Sequence, residues 1–187
     1  MDKLYLFGLD ISLKNTGVAI YDLTEKRFVY IDSFNTEKIY ATKNYKGLHL
    51  NAIKLNKLSK WFEGILEEYP PALVSIERMF SRFPLETQAI AKATGVIQET
   101  IWDKPQSLYP PKSVKLAIVH GSATKEDVAN SILTSTTYNY LKFKNEDESD
   151  AVAVALTYLI DKELVEWKKP KWSEIKKLRE PKEEKKK

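Results

Sequence analysis

The chain contains no cysteine. That excludes disulfides, thiolate-bound zinc, iron–sulfur clusters and thiol catalysis. It has two histidines, His49 and His120, among 187 residues. A metal site built from imidazoles is therefore not expected. Six glycines exclude collagen-like and Gly-rich low-complexity sequence. No apolar run approaches the ~20 residues of a membrane span. The start, Met1-Asp2-Lys3-Leu4, lacks the basic segment and small-residue cleavage site of a signal peptide. These absences point to a cytoplasmic protein with no membrane association. What remains is 43% hydrophobic, enough for a packed core in a chain of roughly one domain's length.

The net charge of +4 is unevenly spread. Residues 168–187 carry ten Lys/Arg and four Glu, leaving 20 basic and 22 acidic groups in residues 1–167. The expected organisation is a slightly acidic folded domain, 1–167, and a basic, mostly disordered tail, 168–187. Within the domain, residues 38–60 hold six lysines (Lys38, Lys43, Lys46, Lys54, Lys57, Lys60) and no acid, with Tyr40 and Tyr45 interleaved. Residues 146–150 read Glu-Asp-Glu-Ser-Asp. The first stretch suits a polyanion, the second a divalent cation.

Residues 3–11 are almost continuously apolar, with Asp10 near the C-terminal end, the pattern of a strand buried on both faces. Strands are predicted at 17–22 and 27–34, close enough to form an antiparallel meander. Helical spacing follows from Leu48 to Tyr69, and Pro70-Pro71 stops it. A short strand over 72–77 ends in Glu77. A helix over 85–101, a strand over 107–109, a short helix from Pro111 to His120, and a helix over 125–133 with Thr124 as N-cap come next. A last helix is predicted over 150–165. Trp61, Trp102 and Trp167 are expected to pack. The order predicts an α/β fold: a mixed five-stranded sheet, three antiparallel strands then two parallel ones, with helices on both faces. In such a sheet the C-terminal ends of parallel strands converge on one edge.

Asp10 and Glu77 both sit at strand ends of this kind. Asp147 and Asp150, three apart at the start of the last helix, share a face. Each acid alone has a local explanation: a turn, a helix start, or an ion pair of Glu77 with Arg78 or Arg82. The four in this order and topology suggest instead carboxylates gathered around a hard cation. Mg²⁺ takes oxygen ligands and completes its shell with water and phosphate. Two such ions roughly 3.5–4 Å apart stabilise both oxygens of a phosphodiester displacement.

These residues resemble a known family. Gly8-Leu-Asp10-Ile-Ser12-Leu-Lys-Asn-Thr16-Gly17-Val-Ala-Ile20 is similar to the first motif of RuvC-type Holliday junction resolvases, especially their phage-like branch. Ser75-Ile-Glu77-Arg78-Met-Phe80 resembles the second motif. The stretch from Ser113 through Lys115 and Lys125 to Val128 resembles the basic segment before the last helix, and Asp147-Glu-Ser-Asp150-Ala through Leu156 the terminal motif. The resemblance implies a ribonuclease H-like fold, a homodimer, and Mg²⁺-dependent paired nicking of four-way or otherwise branched DNA in a bacterial cell or phage-infected host. It makes Asp10, Glu77, Asp147 and Asp150 the ligands of two Mg²⁺ per active site, with Mn²⁺ as a substitute. It makes Lys125 a catalytic phosphate contact, Lys115 a further DNA contact, and Phe80 an aromatic wedge against junction bases. Arg78, Arg82, Lys43, Lys46 and Lys112 complete the expected DNA-binding set. Ile11-Ser12 departs from the Pro-Gly that often follows the first Asp in bacterial members.

Two other functions are compatible with such a fold. An ATP-binding domain of the actin and hexokinase type needs two lobes and glycine-rich phosphate loops, which this chain lacks. A ribonuclease H-like nuclease acting on RNA–DNA hybrids or flaps shares the carboxylates and is the alternative reading.

Overall fold

The structure, a computed structural model, describes residues 3–44, 46–78, 83–171 and 173–175. Three strands come first: β1 (Tyr5–Asp10), β2 (Asn15–Asp22) and β3 (Arg27–Asn35). Helix α1 (Gly47–Glu68) leads to β4 (Pro71–Glu77), and α2 (Pro84–Thr100) to β5 (Gln106–Tyr109). Helices α3 (Pro111–Ile118), α4 (Lys125–Leu133) and α5 (Glu146–Asp161) complete the described elements. The sheet runs β3-β2-β1-β4-β5. β1 pairs antiparallel with β2 and parallel with β4; β2 pairs antiparallel with β3, and β4 parallel with β5. This is the predicted mixed sheet, with the apolar first strand at its centre.

The alternation of side chains along the central strands divides the core in two. Leu6, Ala19 and Tyr21 face α3, α4 and α5, packing with Ile118, Ile132 and Leu156. Phe7, Leu9, Val18 and Ile20 face α1 and α2, packing with Leu58, Phe62 and Ile97. Helices thus cover both faces, and the sheet's carboxyl edge is left between them.

α5 lies directly on the sheet, because β1 and β2 carry glycines where it crosses. A Cβ on Gly8 would stand 2.4 Å from the carbonyl oxygen of Ala151, and one on Gly17 would stand 2.1 Å from that of Asp147. Only residues without a side chain allow this approach. The facing residues of α5, Ala151 and Ala155, are small and fully buried. Ser75 of β4 donates its hydroxyl to the carbonyl of Val154 at 3.0 Å, fixing a second point of the helix.

Three expectations need correction. α5 spans 146–161 rather than 150–165, because the Asn145 side chain caps it at the Glu148 amide and competes well as an N-cap. Trp102 does not pack: it follows the end of α2 and is 80% exposed. The folded body also reaches past 167. Trp167 donates Nε1 to the Ile118 carbonyl at 2.8 Å, Lys169 Nζ reaches the Leu116 carbonyl at 2.6 Å, and Ile175 is 1% exposed within the core. The lysine-rich composition from 168 onward hides this apolar anchor. Trp61 packs as expected, stacked on Phe34 at 5.4 Å between ring centres.

Candidate active site

Five of the expected residues meet at one sheet edge. Asp10 ends β1 and Glu77 ends β4, its parallel neighbour. Asp147 and Asp150 are in the first turns of α5, where the helix's N-terminal partial charge favours acids. Lys125 is the first residue of α4, and its Nζ forms an ion pair with Asp150 Oδ2. Glu77, Asp150, Lys115 and Lys125 line a cleft of about 270 Å³ with Pro111, Val114 and Val128. A larger groove between α1 and α2, about 520 Å³, lies apart from these acids.

The electrostatics of the cluster are those of crowded carboxylates. Burial pushes the Asp10 carboxyl well above its usual range, and the charges of Glu77 and Asp150 push it further. Glu77 is raised by burial and by Asp150, while a hydrogen bond with the Asp10 carboxyl pulls it back. Asp150 is raised by burial against the pull of Lys125. Burial works against the Lys125 ammonium, but its hydrogen bond to Asp150, with the charges of Asp150, Asp10 and Asp147, raises it overall. Like charges and desolvation both disfavour ionisation, so the cluster is short of positive charge.

Such a donor set fits a hard cation. All four groups are oxygen donors, which suits Mg²⁺ or Mn²⁺. The Lys125 ammonium, paired with Asp150, supplies part of the positive charge that a metal would bring. Among the described residues, no group of three or more His, Cys, Asp or Glu side chains is already drawn close enough to hold a metal ion.

Local structure aims Lys125. Thr124 is the N-cap of α4 as expected, accepting from the Asp127 amide at 3.1 Å. The Asp127 carboxylate returns the contact, accepting from the Thr124 amide at 2.7 Å. This capping box starts the helix at the lysine. Thr124→Ala should cost about 1 kcal/mol, visible as a lower melting temperature.

The remaining candidates are dispersed. Lys115 is half-buried on the wall of the cleft. Arg78 is exposed next to Glu77, its amide bonded to the Tyr109 carbonyl at 2.7 Å. Lys112 is exposed on α3, and Lys43 and Lys46 are exposed before α1; no contact among the described residues brings these three to the carboxylates. Phe80 and Arg82 lie outside the described residues.

Comparison with known proteins decides the family. The family model for crossover junction endodeoxyribonuclease RuvC matches residues 6–158. The chain belongs to the RuvC family. It is 28% identical over 155 residues to the RuvC of Prochlorococcus marinus strain NATL2A, covering 81% of this chain and 96% of that protein. It is 27% identical over 165 residues to the RuvC of Orientia tsutsugamushi strain Boryong, covering 86% and 98%. Among solved structures, T. thermophilus RuvC in complex with a Holliday junction substrate overlays with a TM-score of 0.68 at 17% identity, covering 86% of this chain and 96% of that one. The yeast mitochondrial Holliday junction resolvase overlays at 0.58 with 11% identity, covering 85% and 80%. These overlays extend the RuvC fold to the described domain.

Two residues of the site escaped the sequence reading. Asn15, the first residue of β2, donates Nδ2 to Asp147 Oδ2. Asp127, fully buried, completes the cap under Lys125. The Thr-x-x-Asp spacing signalled the second. An amide at a strand start, next to the turn after Asp10, was the available signal for the first.

Proposed function

We propose that this chain is a divalent-metal-dependent, structure-selective endonuclease that resolves four-way DNA junctions by paired nicking. The observation that carries this reading is the meeting of Asp10, Glu77, Asp147 and Asp150 with Lys125 at one sheet edge, in a chain of the RuvC family. Asp10, Glu77, Asp147 and Asp150 would hold two Mg²⁺ ions, with Mn²⁺ as a substitute. Bound ions supply charge neutralisation and a water activated for in-line attack. Lys125 neutralises charge on the scissile phosphate, a role for a cation fixed in place before the substrate arrives. Lys115 holds the adjacent backbone. Paired cuts in two strands require two such sites, so the active form is a homodimer. Ser12 after the first Asp supports the phage-like branch and a setting in a bacterial cell or phage-infected host. Among the described residues, no helix is long and apolar enough to cross a membrane.

The test offers a labelled immobile four-way junction, a fork, a linear duplex and an RNA–DNA hybrid, with Mg²⁺ and with chelator. Symmetric paired nicks confined to the junction and dependent on Mg²⁺ are expected. Cleavage of the hybrid alone would replace this reading with the ribonuclease H-like one. Junction affinity should fall steeply with salt: six to ten neutralised phosphates lose roughly 10³–10⁵ in affinity between 50 and 200 mM. A flat salt response would remove the lysines from the interface.

A further inference from the structure

Asn15 belongs to no set of expected site residues, yet it touches one of the four carboxylates. Its side chain is half-buried, and Nδ2 donates to Asp147 Oδ2. The backbone that carries it is closed on itself. Ser12 Oγ donates to the Asn15 carbonyl at 2.7 Å and accepts from the Asn15 amide at 2.9 Å. Thr16 Oγ1 donates to the Ser12 carbonyl at 2.6 Å and accepts from the Ser12 amide at 3.3 Å. Serine and threonine hydroxyls commonly lock turns in this way. Two residues further on, Gly17 lies against the backbone of Asp147. The amide and the carboxylate therefore cannot drift apart.

The amide's orientation is also determined. Asn15 Oδ1 is buried and has no hydrogen-bond partner among the described residues. Turning the amide over would set that oxygen, an acceptor, against the Asp147 carboxylate, itself an acceptor when ionised. The donor face is thus held toward Asp147.

The four acids have different partners. Asp10 and Glu77 hold each other, and Asp150 has the Lys125 ammonium. Asp147 has a neutral donor, which orients one oxygen without cancelling the charge and leaves the second oxygen to another contact. That is what an outer partner of a metal ligand does.

We propose that Asn15 is a positioning residue, holding Asp147 in the orientation from which its carboxylate takes up a divalent cation. This rests on the reading of Asp147 as a metal ligand. The test titrates Mn²⁺ into the metal-free full-length protein, followed by calorimetry and by the electron paramagnetic resonance of free Mn²⁺. It compares the wild type, Asn15→Ala, Asp147→Asn and the double variant. Outer partners of ligands typically change metal affinity 10–100-fold, so Asn15→Ala should weaken Mn²⁺ binding by about tenfold. The double variant should bind no more weakly than Asp147→Asn, since the amide acts through that carboxylate. Melting in chelator should shift by no more than about 2 °C. In the nicking assay the metal concentration for half-maximal rate should rise while the rate at saturating metal is largely restored. Mn²⁺ affinity of Asn15→Ala within about twofold of wild type, or a further tenfold loss in the double variant, overturns the proposal. Wild-type Mn²⁺ affinity in Asp147→Asn overturns the ligand reading and the proposal with it. If Asn15→Ala does not fold, Asn15→Ser, whose hydroxyl is too short to reach Asp147, is measured by the same criteria.

Discussion

Asp10→Asn should abolish nicking while leaving junction binding intact. The substitution keeps the shape of the side chain and removes its charge. Metal coordination is worth several kcal/mol of transition-state stabilisation, and each 1.36 kcal/mol is tenfold in rate, so the loss should be on the order of 10³-fold or more. DNA affinity, measured on the same labelled junction in chelator, should stay within about twofold, since phosphate contacts supply it. The structure adds a second expectation that separates this variant from a merely damaged protein. Asp10 is crowded by Glu77 and Asp150 and desolvated, so its charge is a cost to the metal-free fold. Asn removes that cost and can still donate to Glu77. In chelator the variant should therefore melt at the wild-type temperature or above it. A drop in melting temperature together with the lost activity would mean that Asp10 supports the fold rather than the chemistry. Undiminished nicking would remove it from the active site.

Gly17→Ala is expected to be among the most damaging small substitutions in the domain. Its Cβ would lie 2.1 Å from the Asp147 carbonyl oxygen and 2.7 Å from the carbonyl carbon. The obstacle is backbone, so no rotamer change relieves it. α5 would have to lift off the sheet, and Val152, Leu156 and Leu159, all fully buried, lie along it. Overpacking of a core costs 1–3 kcal/mol and occasionally more. Here about 3 kcal/mol is expected, which in a chain of this size lowers the melting temperature by roughly 6–12 °C. Nicking should fall further than stability alone accounts for, because Asp147 and Asp150 move with the helix. Gly64→Ala is the control. Nothing lies within 4 Å of a Cβ there, near the C-terminal end of α1, so alanine should be neutral or stabilise by up to about 1 kcal/mol. Equal melting temperatures for the two variants would disprove the close approach of α5.

Much of this arrangement was legible in the residues. The apolar run ending in Asp10 announced a central strand, and Glu77 announced its parallel neighbour, since both endings place a charge where a buried strand meets an open edge. Thr124 announced the start of α4. Periodicity could not set the start of α5, because Glu-Asp-Glu-Ser-Asp carries no apolar pattern and the helix begins on an Asn cap. Nor could it tell Trp102 from a packed residue: the indole follows α2 and faces outward. Ile175 was masked by the lysines around it. Asn15 illustrates the general difficulty. Its partner lies 132 residues away, and only the sheet and the helix laid across it bring the two together.

The glycines under α5 also affect the order in which the domain comes apart. With no side chain between helix and sheet, β1, β2 and α5 cannot separate by small steps; their backbone amides should exchange hydrogen with solvent only in the same rare opening as the whole domain. Three of the four carboxylates are carried by that slow-exchanging block. Their mutual spacing is then a property of the folded state itself. Adjustment to an arriving DNA strand falls to side chains at the rim of that block, among them Lys125, which is 51% exposed and forms an ion pair with Asp150.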